Sequence, residues 1–174
     1  MSVRRRQERG QSVVEFALIV PLMVIILFAI VDFARIYTTM MSVESAAREA
    51  ADYGTTLGAG KWQPGAPMDA TVAEMERRAC IASSNLTDYA DTDADPQVGG
   101  CQNPTFAYAL SETTGCEDPM REPPCRVTVT LSYQFNLLAP LNIDFFGVQL
   151  GIPNSITFQR GSTFAMTDID VAGP

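Results

Sequence analysis

The sequence predicts an α+β protein: a long N-terminal helix that includes a membrane span, then a small head with one helix on an antiparallel sheet. Three observations predict it. An uncharged apolar run extends from Phe16 to Val31, helical apolar spacing continues well past that run, and period-two alternation appears in three later segments. A chain of 174 residues holds one modest domain besides the membrane segment.

The leader, residues 1–10, carries Arg4, Arg5, Arg6 and Arg9, whereas the rest of the chain is acidic and the formal net charge is −8. That balance argues against nucleic acid as a partner, because phosphate neutralisation needs clustered Lys and Arg. It also orients the chain. Four arginines precede the apolar run and only Arg35 closely follows it, so the positive-inside rule puts the N-terminus in the cytoplasm and everything after Tyr37 outside. The expected location is the cytoplasmic membrane, crossed once, with membrane lipid as a partner. The run alone, about 16 residues, is short of the roughly 20 that span a bilayer core. Residues as far as Tyr37 bring it to length, with charged groups snorkelling at the outer boundary. A cleaved signal peptide is the rival reading, but it needs small residues just past the run. The chain there reads Val31-Asp32-Phe33-Ala34-Arg35.

Within the span Pro21 removes one backbone bond and is expected to kink the helix. Asp32 and Arg35, three apart, are placed to pair at the outer boundary. From Met40 to Tyr53 the pattern stays helical through Val43, Ala47, Ala50 and Ala51, with Glu44 and Arg48 at i,i+4, and Gly54 is the expected stop. The expected helix, residues 11–54 with a membrane segment at about 16–37, is about 60 Å long at roughly 1.5 Å per residue. A plain anchor does not need an alanine-rich extension of this kind.

Residues 55–67, rich in Gly and Pro, read as a linker in which Trp62 rests on the head or on the membrane surface. The head is residues 68–174. Met68 to Ser83 is helical through Val72, Met75, Ala79 and Ile81, with Asp69 as N-cap. Phe106, Tyr108 and Leu110 mark one strand, and Val127, Val129, Leu131, Tyr133 and Phe135 a second. Ile156, Phe158, Phe164 and Met166 mark a third, with Gly161 as an expected bulge. Leu137 to Ile152, between the last two, is apolar and broken by Pro140, Gly147 and Gly151.

The four cysteines, Cys80, Cys101, Cys116 and Cys125, all follow the apolar run and fit two disulfides in an oxidising compartment. Three pairings are possible; Cys80 with Cys101 and Cys116 with Cys125 is favoured because each closes a short loop. A zinc site is the alternative, without C-x-x-C or histidine to support it. Asp88, Asp91, Asp93 and Asp95 alternate like a calcium loop, but Pro96 stands where glycine is needed, so a solvated acidic loop is the reading. The chain has no histidine at all, which removes the commonest general base and metal ligand. No cofactor is expected, and no catalytic residue or enzymatic activity.

Gly10, followed by four residues and then Glu15 and Phe16, directly after an arginine-rich leader, resembles a type IV prepilin processing site of the Tad (Flp) subclass. The stretches Arg9-Gly10-Gln11-Ser12-Val13-Val14-Glu15-Phe16-Ala17 to Pro21, Val31-Asp32-Phe33-Ala34-Arg35 and Ala46-Ala47-Arg48-Glu49-Ala50-Ala51 are similar to TadE-like proteins. The resemblance covers about the first third of the chain. It implies cleavage after Gly10 by a prepilin peptidase, which makes Gln11 the new N-terminus. It also implies a pilin-like head, and a role as a minor pseudopilin in assembly of a pilus used for surface attachment. The implied partners are that peptidase, other pilins or pseudopilins, and the assembly platform in the membrane. A TadG-like or TadF-like relative is a near neighbour.

Physics supplies a reason for Glu15. A carboxylate at the start of an apolar run costs about 2.5 to 3.5 kcal/mol at mid-membrane depth and less near the interface, so it calls for a partner. In a head-to-tail stack, Glu15 of one subunit would neutralise the Gln11 amine of the next. The plainer account leaves Glu15 at the cytoplasmic headgroups. A functional alternative from another class is an anchored extracytoplasmic binding module in which Gly10 is never cut.

Overall fold

The computed structural model describes residues 4–56, 62, 68–91, 100–112, 116, 122–138, 142–145, 148–151 and 153–166. Helix α1 is Arg4–Thr56 and helix α2 is Met68–Ser83. Strands follow: β1 (Ala90–Asp91), β2 (Cys101–Asn103), β3 (Thr105–Leu110), β4 (Arg126–Asn136), β5 (Asn142–Phe145), β6 (Val148–Gly151) and β7 (Ser155–Ala165). All pairings are antiparallel: β1 with β2, β3-β4-β7 as a three-stranded sheet, and β5 with β6. The α+β class expected from the sequence is the one observed.

The chain divides into two compact units, one of residues 1–37 with 137–154, the other of residues 38–136 with 155–174. The second unit holds the larger core. Its centre is β4, where Val127, Val129, Leu131, Tyr133 and Phe135 are fully buried. Alternate residues of a strand point to one face, and the register sets Leu131 opposite Phe106 and Tyr133 opposite Phe158 on that same face. Each such side chain stabilises the fold by about 1.5–3 kcal/mol relative to exposure. The opposite face is polar, with Thr128 and Thr163 hydroxyls 2.9 Å apart.

Two helical stripes cover the apolar face. On α1, Thr39, Val43, Ala46, Ala47, Ala50, Ala51 and Thr55 are buried, a spacing of three and four that keeps them on one side. The small alanines let the helix approach closely. On α2, Met75, Ala79 and Cys80 are fully buried, and the Arg78 guanidinium lies 4.2 Å over the Tyr53 ring of α1.

Several local expectations are corrected. Helix α1 does not stop at Gly54 but runs two residues on, where Thr55 and Thr56 donate to the carbonyls of Asp52 and Tyr53 at 2.9 and 3.1 Å. Gly54 serves packing: a Cβ there would meet Met75 Sδ at 2.8 Å and Val127 Cγ1 at 3.4 Å. Gly161 is not a bulge, because β4 and β7 pair one to one from Arg126↔Ala165 to Asn136↔Ser155. Its small size matters instead, since a Cβ would lie 3.2 Å from the Val129 carbonyl oxygen. Asp69 lies one residue inside α2, and its side chain is outside the described residues.

Trp62 rests on the head and not on a membrane surface. It is 4% exposed, donates to the Gly54 carbonyl at 2.9 Å, and has its ring 6.1 Å from that of Tyr108.

Candidate functional site

Among the described residues, the longest exposed apolar surface lies on α1. From Ser12 to Val31 every side chain is exposed, including Phe16 at 69%, Leu18 at 73% and Leu27 at 62%. The best 18-residue window has mean hydropathy 2.9 and none of it is buried, so α1 is long and apolar enough to cross a membrane. Water-soluble monomers rarely expose a continuous apolar patch beyond a few hundred Å².

Gly10 and Gln11 lie within α1, with side chains outside the described residues. Glu15 and Phe16 follow on the same unbroken helix, both exposed, and Pro21 stands inside it. The backbone thus carries all five of these residues on one helix, toward the N-terminal end of the apolar run. The arginine-rich segment from Arg4 onward is helical too, continuous with the apolar run.

Asp32 marks the other end. It is the first buried residue after the exposed run, at 7% exposure. Its Oδ1 accepts from Arg35 Nη1 at 3.2 Å and from the backbone N–H of Leu138 at 3.3 Å. A buried carboxylate needs such donors. The sequence pointed to Arg35 as a partner; Leu138, 106 residues away, carried no local signal.

Residues 10–52 match the family model described as TadE-like protein. That segment, about a quarter of the chain, is similar to TadE-like proteins. The TadE-like match starts at Gly10 and ends inside α1, so it takes in the whole exposed run and most of the buried alanine stripe. At family level it supports a part in Tad pilus assembly. No curated protein and no solved structure matches the chain.

The four cysteines form two bonds away from the TadE-like segment. Cys80 of α2 bonds to Cys101 of β2, and Cys116 bonds to Cys125 just before β4. Among the described residues no cysteine is free, and no group of His, Cys, Asp and Glu could hold a metal ion.

Asp88 belongs to a polar clasp that sequence reasoning missed. Its carboxylate accepts from the Asn136 backbone N–H at 2.9 Å and from Asn136 Nδ2 at 3.0 Å, while its own N–H donates to the Tyr133 hydroxyl at 3.0 Å. Asn103 completes the clasp. Its amide donates to the Asp88 and Gln134 carbonyls and accepts from the Gln134 N–H at 2.8 Å. Of the remaining loop aspartates, Asp93 and Asp95 lie outside the described residues.

On α2 the Glu74 carboxylate is gripped by Arg77 Nε at 2.6 Å and Arg78 Nε at 2.9 Å. The hydrogen bond from Arg77, aided by Arg78 and opposed by partial burial, holds its pKa down to about 2. This cluster sits on a helix face and has the geometry of a surface ion-pair network.

Proposed function

We propose that the chain is a TadE-like minor pseudopilin that acts structurally in assembly of a Tad pilus. In this reading α1 crosses the cytoplasmic membrane with its arginine-rich end in the cytoplasm, and the disulfide-bonded head faces outward. A prepilin peptidase cuts after Gly10. The new Gln11 amine then pairs with Glu15 of a neighbouring pilin or pseudopilin, and the exposed apolar faces of α1 pack against their counterparts at the assembly platform.

The observation that carries the proposal is the overlap of the TadE-like match with a helix whose apolar residues 13–31 are all exposed. A helix made only to anchor needs about 20 residues; this one continues to Thr56, where its alanine stripe is buried in a core. No enzymatic step is part of this role, in keeping with a chain that lacks histidine.

Intact-mass measurement of the protein from membranes of peptidase-bearing cells tests it. The expected mature chain begins at Gln11. Retention of Met1 through Gly10 would leave an unprocessed anchored module as the better account and would sink the pseudopilin reading.

A further inference from the structure

The apolar stretch between β4 and β7 has no place in that role so far. Residues 137–154 contain a single ionisable side chain, Asp144. They begin and end at a neck, where the Leu137 N–H donates to the Asn154 carbonyl at 2.9 Å. Between lies the β5–β6 hairpin. Its register sets Ile143 opposite Leu150 and Phe145 opposite Val148, and sets Asn142 opposite Gly151 and Asp144 opposite Gln149. Because alternate strand residues belong to opposite faces, the first four fall on one face and the second four on the other. One face is wholly apolar and the other polar.

The neck is fixed to α1. Residues 137–154 and residues 1–37 form one compact unit, and the Asp32 carboxylate accepts the Leu138 N–H at 3.3 Å. Asp32 is where the exposed apolar run of the helix ends. Around that level Phe33 is 72% exposed, Tyr37 58% and Leu138 55%. The side chains of residues 13–31 all remain exposed, so the helix's apolar run does not serve as cover for the hairpin.

From this geometry we infer that the β5–β6 hairpin is a second membrane contact, its Ile143, Phe145, Val148 and Leu150 face resting in the outer headgroup and upper acyl region. The inference rests on the reading that α1 spans the bilayer. Lipid is favoured over a protein partner by continuity: the segment that carries the hairpin is hydrogen-bonded at Leu138 to Asp32, where the exposed apolar run of the helix ends, and shares one compact unit with that run. An amphipathic element at this depth buries one face and leaves the other wet. Trp and Tyr concentrate at the same level, where Tyr37 stands. With Asp144 as its only charge, and that on the polar face, the hairpin has nothing that resists shallow insertion.

Spin labels on single-cysteine variants of the full chain in lipid nanodiscs test this, with both native disulfides verified by thiol count in each variant. Ile143→Cys and Phe145→Cys probe the apolar face, Asn142→Cys and Gln149→Cys the polar face, and Leu27→Cys the span. The expected result is an oxygen-to-nickel accessibility ratio at positions 143 and 145 close to that at 27 and several-fold above that at 142 and 149. Should a variant fail the thiol count, the facing position in the register, Leu150 or Val148, replaces it. Ratios at all four hairpin positions in the aqueous range, with position 27 in lipid, would overturn the inference and leave the anchor intact. Shielding of 143 and 145 from both reagents, with spin–spin broadening between copies, would overturn it in favour of a protein partner. Aqueous values at position 27 would remove the anchor itself.

Discussion

The Trp62 indole N–H donates to the Gly54 carbonyl at 2.9 Å, although Gly54 lies inside α1 and Trp62 beyond its end. The same glycine leaves no room on its other side, since a Cβ would meet Met75 Sδ at 2.8 Å and Cε at 2.9 Å. One residue therefore receives a cap and accepts a neighbour at once. Gly54→Ala is expected to destabilise the head by about 1–3 kcal/mol through overpacking. Met75→Ala should cost about 2–5 kcal/mol alone. In the double variant the alanine methyl fills part of the vacated space, so the losses should fall short of additive by at least about 0.5 kcal/mol. Denaturant melts of the four proteins complete the cycle.

Trp62→Phe removes the donor and keeps most of the ring. The Gly54 carbonyl is then left in a buried site without it, at a cost of about 1–3 kcal/mol. Thermal unfolding followed by circular dichroism reads the loss, and unchanged stability would show that this contact is decorative.

The two disulfides close loops of unequal size, with sequence separations of 21 for Cys80–Cys101 and 9 for Cys116–Cys125. Loop-entropy reasoning gives both about 2–4 kcal/mol, with the longer loop ahead by less than about 1 kcal/mol. The paired variants Cys80→Ala/Cys101→Ala and Cys116→Ala/Cys125→Ala should rank in that order in urea melts.

Glu74 gives a pH dependence of definite sign. Its folded pKa of about 2 lies below the ordinary carboxylate value of 4.5, so its contribution is present above about pH 4.5 and is lost as pH falls toward 2. The side chain is 25% exposed, and screening limits the gain to roughly 0.5–1 kcal/mol. Glu74→Gln should remove that amount at neutral pH and flatten this part of the acid limb of the stability curve.

Asp88 presents a choice between clasp and cation site. Both its carboxylate oxygens are engaged by Asn136, so Asp88→Ala is expected to cost about 1–3 kcal/mol by stranding those donors. Millimolar calcium should leave the melting temperature of the unaltered protein where it was. A calcium-dependent rise would restore the cation reading.

The parts legible in the sequence are those whose signal is local. Charge and hydropathy announce α1, and the spacing from Val72 to Ile81 marks out α2, which spans Met68–Ser83. Alternation locates β3, β4 and β7. Loop length alone favoured the cysteine pairing that the structure has. What stayed hidden is either short or distant. Cys101–Asn103 and Ala90–Asp91 are too brief to show a period, and the breaks at Pro140, Gly147 and Gly151 masked β5 and β6. The Asp32–Leu138 contact and the Asp88 clasp join residues with no shared neighbourhood in sequence. Gly54 and Gly161 were read as a stop and a bulge because glycine's commoner uses are conformational; here both admit a close neighbour.

Strand β4 forms the middle of its sheet, but one of its two partners, β7, lies some twenty residues further along the chain. While synthesis has not yet delivered Ser155–Ala165, one flank of the strand at the centre of the core stays open, and an open flank is a template for the wrong strand. The vulnerable interval in the life of this protein thus comes late, after its helix and the chain for both disulfide loops have been made. A chaperone or a neighbouring subunit acting on the nascent head would have most to do there.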